Sequence, residues 1–428
     1  MKRYSEYKDS GVKWIGEIPE HWKCTRIKFI ANLYGRIGFR GYNSKDLNKD
    51  GIGAITLSPS NMKDMMMDYT NVTYLSWEKY NESPEIMIQQ GDILFVKTGS
   101  SYGKSCYVDN LPQEATINPQ ILRINPLING RFLCYYFNSS LARTFTECGV
   151  VGGTIPTISQ EKVGNFIALN PPLPEQEAIV TFLDSKVAKI DEYISIAEKK
   201  IAALEELKQT IIAEAVTRGI HKEVPMKDSG VKWIGMIPEH WKVHKIRSHF
   251  KERRVKVSDK DFQALSVAKI GIVPQLEDAC KTDNGDNRKQ VLKGDFVVNS
   301  RSDRKGSCGI SPLDGSVSLI NIVLRPFNIL QEYVHYLFRS HNYIEEFYRN
   351  GRGIVADLWT TRYSEMRNIQ IPVPPLSEQQ EIVTYIEAKV ANINQLCQAE
   401  RSQIEKLKEY KQRLISDVVT GKVKVTND

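Results

Sequence analysis

The sequence predicts a mixed α+β chain built as a pseudo-twofold tandem repeat, with two α/β domains separated by two long helices that pair antiparallel as a coiled coil. Three observations carry this expectation: a leader that occurs twice, a Pro-Pro-Leu segment that occurs twice, and a heptad seam behind each Pro-Pro-Leu. Residues 8–23 read KDSGVKWIGEIPEHWK and residues 227–242 read KDSGVKWIGMIPEHWK, so fifteen of sixteen positions agree at an offset of 219. Pro171-Pro172-Leu173-Pro174-Glu175-Gln176 returns as Pro374-Pro375-Leu376-Ser377-Glu378-Gln379 at an offset of 203, which also carries Lys208-Gln209 onto Lys411-Gln412. The second copy is therefore 16 residues shorter between its matched ends. Uniform drift after a duplication would not leave one segment nearly identical beside a middle that barely aligns. The ends do the same job twice and the middles do different jobs.

The segments behind each Pro-Pro-Leu read as helices. Leu183, Val187, Ile190, Ile194, Ala197, Ile201, Leu204 and Ile211 step by threes and fours from Val187 onward, with Lys208 at the missing position. The shift of 203 gives Ile386, Val390, Ile393, Cys397, Glu400, Ile404, Leu407 and Leu414, with Lys411 in the gap. Pro174 suits a first helical turn, Ser377 with Gln380 fits a capping box, and Gly219 and Gly421 fit C-terminal stops. Each helix should run for roughly 40 residues, about 60 Å. One apolar stripe on so long a helix needs a partner, and the copy in the same chain is the nearest. Parallel pairing with another chain is the competing arrangement. Lys208 and Lys411 act in the seam as a register device or extend from its edge to water. The helix-pair residues are thus Val187, Ile190, Ile194, Ile201, Leu204, Ile211, Ile386, Val390, Ile393, Ile404, Leu407 and Leu414.

The middles, 24–170 and 243–373, alternate short strand-like runs with turn signals and helical stretches such as Phe132–Phe145 and Leu330–Tyr348, which reads as one α/β domain each. One stretch survives in both. Gly91-Asp92-Ile93-Leu94 matches Gly294-Asp295-Phe296-Val297, and both strands lead through a polar loop to a shared Ser-Cys, Ser105-Cys106 and Ser307-Cys308. The loops differ. Lys97, Ser100, Ser101, Tyr102 and Lys104 in one, and Arg301, Ser302, Arg304 and Lys305 in the other, are the residue types that hold phosphates and read base edges. An ordinary polar surface loop is the competing reading.

Composition narrows the function. The 428 residues carry a net charge of +7, with 41% hydrophobic and 25% charged residues, which suits a soluble globular chain and permits a nucleic-acid partner. No apolar run approaches the length of a membrane span, and the Met-Lys-Arg-Tyr-Ser-Glu start has no secretory pattern. The seven cysteines form no C-x-x-C pair, so a reducing cytoplasm is expected rather than a disulfide or zinc framework.

Catalytic motifs do not hold up. Gly103-Lys104-Ser105 ends like a phosphate loop, but the Gly that such a loop needs at 98 is Thr. Asn170-Pro171-Pro172-Leu173 has the outline of an adenine methyltransferase motif, but a Leu stands where an aromatic ring would stack on the base, and the second copy begins with Val373. His21 and His240 lie in the Pro-Glu-His-Trp repeats and read as packing residues. Neither a catalytic site nor a metal site is expected.

The duplicated Gly11-Val12-Lys13-Trp14-Ile15-Gly16-Glu17-Ile18-Pro19-Glu20-His21-Trp22 leader, the Gly91-Asp92-Ile93-Leu94 strand and the duplicated Pro-Pro-Leu-x-Glu-Gln before a long helix resemble the specificity subunit of type I restriction–modification systems. The resemblance covers essentially the whole chain. It implies repeat segments at 1–23 and 223–242, target recognition domains at 24–170 and 243–373, and conserved helices at 171–222 and 374–428. It also implies that each recognition domain binds one half of a bipartite double-stranded DNA target. The helices would serve as a ruler and as a dock for two methylation subunits, with a restriction and translocation subunit alongside. No cofactor is expected in this chain; S-adenosylmethionine, ATP and Mg are expected on the partners. A stand-alone two-domain DNA-binding regulator and a coiled-coil scaffold without a DNA role are the alternatives.

Overall fold

The computed structural model describes residues 2–48, 51–151, 155–275, 285–353 and 359–425. It divides into two compact units, Met1–Ile196 with Ser402–Asp428, and Ala197–Arg401. Each unit combines a leader, an α/β domain, the first part of its own long helix and the last part of the other repeat's helix. The compact units thus cut across the tandem segments marked by the repeats.

In the first unit, strand Lys23–Arg26 pairs antiparallel with Ile167–Asn170, so the chain enters and leaves the domain at one place. Between them, a four-stranded antiparallel sheet has the order Ser105–Tyr107, Ile93–Val96, Ile121–Pro126, Ala31–Gly35. A second sheet has the order Ala115–Ile117, Ala54–Leu57, Thr73–Leu75, Leu47–Asn48, and its first two strands are parallel. The run Ile93-Leu94-Phe95-Val96 is wholly buried because each face meets apolar partners: Ile93 and Phe95 lie in one core cluster, Leu94 and Val96 in another. The second unit repeats the closing pair, Lys242–Lys245 with Gln370–Val373. It also repeats the first sheet, as Phe250–Glu252, Asn321–Pro326, Phe296–Asn299, Cys308–Ile310. Its second layer differs, with a three-stranded sheet of Lys256–Val257, Arg288–Val291 and Gly315–Val317 and a separate hairpin, Leu265–Ala268 with Gly271–Pro274.

The helical stretch expected over Phe132–Phe145 is two helices, Gly130–Phe137 and Ser140–Gly149. The break falls at Ser139, whose hydroxyl accepts from the Ala142 N–H and so starts a new helix instead of continuing the old one. The second domain breaks likewise between Gln331–Arg339 and His341–Arg349, with the Ser340 hydroxyl bonded back to the Leu337 carbonyl.

The long helices span Leu173–Arg218 and Leu376–Val419, 46 and 44 residues, or about 69 and 66 Å. Ser377 therefore lies in the first turn instead of capping it, and the Gln379 N–H bonds to the Pro375 carbonyl. Gly219 and Gly421 follow the helices with φ of 77° and 74°, the left-handed stop that glycine tolerates. Pairing is antiparallel in both units. In the first, Lys411 bonds to Asp191; in the second, Lys200 bonds to Glu400 and Lys208 to Asn394, one number rising as the other falls.

The repeated motifs converge on one knot in each unit. The buried Glu175 carboxylate accepts from Trp22 Nε1 at 3.0 Å, contacts His21 Nε2 at 2.9 Å and takes a bond from the Tyr4 hydroxyl. Glu378 takes Trp241 Nε1 at 3.0 Å and His240 Nε2 at 2.7 Å. Gln176 caps its helix on the Pro171 carbonyl and accepts from the Asn129 N–H; Gln379 does the same with Pro374 and Leu330. The Glu-Gln pair thus ties the leader and the helix Gly130–Phe137, or Gln331–Arg339 in the second unit, to the start of the long helix. The end of the other long helix closes the knot. A Cβ on Gly421 would stand 2.5 Å from Pro19 and 3.2 Å from Trp22, and one on Gly219 would stand 3.2 Å from Trp241. Beside the first knot, Lys2 pairs with Lys424 in an antiparallel bridge.

Candidate nucleic-acid interface

Each candidate loop leaves the central strand of the first sheet. Gly91 and Gly294, with φ of 93° and 90°, turn the chain into that strand, and the following aspartate locks the turn. Asp92 accepts from the Gln89 N–H at 2.7 Å and from Arg123 Nε at 2.6 Å, while Asp295 accepts from the Leu292 N–H at 2.9 Å and from Arg253 Nε at 2.6 Å. Arg123 lies on strand Ile121–Pro126 and Arg253 just past strand Phe250–Glu252, so the same buried charge is neutralised by two routes. At the far end of the loop, the Cys106 and Cys308 thiols are buried, and burial pushes both up to about 12. They behave as small apolar groups under the loop, not as nucleophiles.

In the first unit the loop is held from within. Tyr102 N–H bonds to the Gly99 carbonyl, Lys104 N–H to Ser101 and Gly103 N–H to Val96, and Gly99 and Gly103 take φ of 102° and 83°. Ser100, Ser101, Tyr102 and Lys104 line a groove of about 420 Å³ with Arg143 and Thr146 of the following helix. Lys97 does not line it. Its ammonium lies 3.5 Å from where a Gly35 Cβ would stand, and burial lowers its pKa.

In the second unit a single 3-10 turn, Ser302–Arg304, replaces the glycine loop. Arg304 N–H bonds to the Arg301 carbonyl, and the Tyr348 hydroxyl bonds to the carbonyls of Asn299 and Arg304. Arg301 and Arg304 each approach Asp303 at 3.6 Å, whereas Lys305 is held by Glu345 at 3.0 Å. Ser302 and Lys305 line a larger groove, about 850 Å³, with Lys232, Trp233, Arg349 and Trp359. Two guanidiniums on a fixed turn suit guanine or phosphate, while hydroxyls and a tyrosine on a glycine loop suit other base edges.

A second segment lies against each loop, and sequence reasoning missed it. Thr98 bridges Thr157, which also bridges Val151; Arg301 bridges Thr360, which also bridges Arg352. The exposed Val151 and Ile155, and the exposed Trp359, thus stand beside the reading loops. The available signal was the glycine content of both stretches: Gly149, Gly152 and Gly153 in one, Gly351 and Gly353 in the other. Residues 152–154 and 354–358 lie outside the described residues. Among the described residues, no group of three or more His, Cys, Asp or Glu could hold a metal ion.

Comparison with known proteins decides the family. The profile of the Type I restriction modification DNA specificity domain matches residues 19–206 and 240–406, one match per repeat. The chain belongs to this specificity family. It is 25% identical to the putative type I restriction enzyme MjaX specificity subunit of Methanocaldococcus jannaschii, over 98% of both chains. It is 23% identical to the MjaVIII specificity subunit of the same organism, again over 98% of both. Among solved structures, the HsdS subunit from Thermoanaerobacter tengcongensis matches with a TM-score of 0.51 and 16% identity, over 95% of this chain and 98% of that one. A chain from a study of complex assembly and conformational transition of the type I R-M system matches with a TM-score of 0.66 and 16% identity, over 95% and 99%. The fold is that of a type I specificity subunit: two target recognition domains and two long antiparallel helices.

The specificity subunit's helices carry a buried seam and, apart from it, exposed apolar side chains. In the first unit Val187, Ile190, Ile404 and Leu414 are buried, and Ile194 and Leu407 are half-buried against the same core. In the second unit Ile386 and Ile393 are buried and Val390, Ile201 and Leu204 half-buried. Ile211 is half-exposed; its neighbour Ile212 enters the core with Ala215 and Val216. A separate set of exposed apolar side chains repeats at the offset of 203: Leu173 with Leu376, Tyr193 with Leu396, Leu207 with Tyr410. The half-buried Phe182 and the exposed Tyr385 are also related by 203, each with a lysine over its ring, Lys186 and Lys389. No helix among the described residues is long and apolar enough to cross a membrane.

Proposed function

We propose that this chain selects the DNA site of a type I complex, each recognition domain reading one half of a bipartite sequence through its central loop. One observation carries the proposal: two loops of different construction, a glycine loop and an arginine turn, leave the same strand of the same repeated scaffold. A scaffold that repeats while its loops diverge suits two readers with different base preferences. The chain itself is not catalytic on this reading. Methyl transfer with S-adenosylmethionine, and translocation and cleavage with ATP and Mg, belong to partner subunits in the cytoplasm. Two methylation subunits dock on the exposed apolar side chains that each unit presents in the same pattern, and the paired helices set the length of the unread spacer in the DNA.

The experiment is domain exchange with methylome mapping. Residues 24–170 are replaced by the equivalent domain of a relative, and the chain is co-expressed with its methylation subunits. One half of the methylated sequence should change while the other stays. A change in both halves would overturn independent reading, and methyl transfer by the purified chain alone would overturn its non-catalytic role.

A further inference from the structure

Resting on the reading just proposed, we infer that Lys13 and Trp14 in the first unit, and Lys232 and Trp233 in the second, make one sequence-independent contact twice, gripping the DNA sugar–phosphate backbone beside each reading loop. The leaders that carry these pairs agree at fifteen of sixteen positions, while the reading loops differ in residue type and backbone. A contact to base edges would diverge with the half-site. A phosphate is the same on every half-site, so its contact can be kept.

The structure puts the second pair in the wall of its reading groove and Trp14 of the first against the helix that lines its groove. In the second unit, Lys232 and Trp233 line the groove of about 850 Å³ with Ser302 and Lys305 of the loop. The Trp233 ring stands 5.7 Å from Tyr343, and its Nε1 donates to the Gln370 carbonyl, so the indole is held in place. In the first unit, the Trp14 ring meets Phe145 edge-on at 6.0 Å, on the helix whose Arg143 and Thr146 line the groove beside Ser100 and Lys104.

Both tips are also rigid and matched in geometry. Ser10 N–H bonds to the Gly16 carbonyl at 3.0 Å and Ser229 N–H to Gly235 at 3.0 Å; Gly11 N–H bonds to Asp9 Oδ1 at 2.9 Å and Gly230 N–H to Asp228 Oδ1 at 3.0 Å. Lys13 and Lys232 are exposed at the tips, and among the described residues neither pairs with an acid, whereas Lys305 is occupied by Glu345. An exposed ammonium on a fixed loop is a point charge suited to phosphate, and a flanking indole covers the apolar face of a sugar.

The test uses the full chain, co-expressed with its methylation subunits, as wild type, Lys13→Ala, Lys232→Ala and the double variant. Binding is measured to two duplexes between 50 and 200 mM salt: one carries the sequence that the wild type methylates, the other its scramble. Each lysine that releases one phosphate counterion contributes about 0.9 to the salt slope. The wild-type advantage should therefore shrink about 3.5-fold across that range for one lysine and about 12-fold for both, equally on the two duplexes. The methylated sequence should not change. Unequal losses, an unchanged slope, a changed base in the methylated sequence, or poorer recovery of the methylation subunit would each overturn the inference. A wild type that binds neither duplex would overturn the proposed function, and this inference with it.

Discussion

Lys411 Nζ lies 2.6 and 2.8 Å from the two carboxylate oxygens of Asp191, inside an otherwise apolar helix seam. The offset of 203 carries this pair onto Lys208 and Asn394, which are bonded at 2.9 Å. The seam therefore has this polar layer in each unit, a lysine with a carboxylate in the first and a lysine with an amide in the second, where Lys200 with Glu400 adds a further polar contact. Asn394→Asp should add about 0.5–1 kcal/mol to stability at low salt, and the gain should fade toward 1 M salt. Thermal unfolding at two salt concentrations decides it; a gain indifferent to salt would show that Lys208 is not held at this layer.

Glu378→Ala should cost about 2–4 kcal/mol, because it strands the buried Trp241 Nε1–H and leaves His240 without its partner. Glu378→Gln keeps an acceptor for the indole and should cost about half as much. Chemical denaturation followed by tryptophan fluorescence compares the two. Equal costs would place the stabilisation in packing instead of in the bond.

Acid should weaken the second unit through His335. Burial, with Arg339 nearby, pushes this imidazole down to about 4 from its ordinary 6.5. The folded form refuses a proton that the unfolded chain accepts, so stability is full above pH 6.5 and is lost as pH falls toward 4. The loss between pH 7 and pH 5 should be on the order of 2 kcal/mol. His335→Gln should flatten that part of the profile; an unaltered slope would assign the acid sensitivity to other groups.

Arg304→Ala and Lys104→Ala should both weaken DNA binding, in different ways. A guanine contact by Arg304 should show as about 1–3 kcal/mol of lost discrimination at one base pair of the second half-site, whereas a phosphate contact by Lys104 should lower the salt slope by about 1. Binding to a panel of single-base variants separates the two outcomes.

Tyr193→Glu and Leu396→Glu should each lower recovery of methylation subunits on co-purification, and the double variant should lower it most. Both residues are exposed and repeat-related, so neither change should unfold the chain. Undiminished recovery with the double variant would move the dock off the helices.

Much of this architecture could be read from the chain because the two halves annotate each other. The leader, the Pro-Pro-Leu-x-Glu-Gln segment and the seam from Val187 to Leu204 are visible as repeats, and each turns out to sit in a contact that both units make. The seam reading fails at Ile211 because the helix there meets the core of the second domain, so Ile212, Ala215 and Val216 face inward instead. The break at Ser139 was hidden because the flanking apolar residues keep a helical rhythm across it. The segments beside the reading loops were invisible for a different reason: their link to Thr98 and Arg301 runs through backbone bridges, which leave little trace in side-chain pattern. The exchange of Arg123 for Arg253 as partner to the same aspartate was unreadable in the same way, since it depends on which strand lies alongside.

The closing of the first knot by Gly421 bears on how the chain is made. The Tyr7 hydroxyl bonds to the Gly421 carbonyl, and Trp22 packs on that glycine, across more than 390 residues of sequence. The first unit is thus translated early but lacks residues 402–428 until the second has been made. At about 5–20 residues per second, the 205 residues of Ala197–Arg401 impose a wait of roughly 10–40 s. Throughout that time the apolar face around Trp22, Ile179, Leu183 and Val187 lacks Leu414, Ile415, Val418 and Val419, which complete its core in the finished chain. The second unit has no such delay, because Gly219 has already left the ribosome when Trp241 and Glu378 arrive. Two units built to one plan therefore differ in their exposure to misassembly during synthesis, and the first is the one that needs protection.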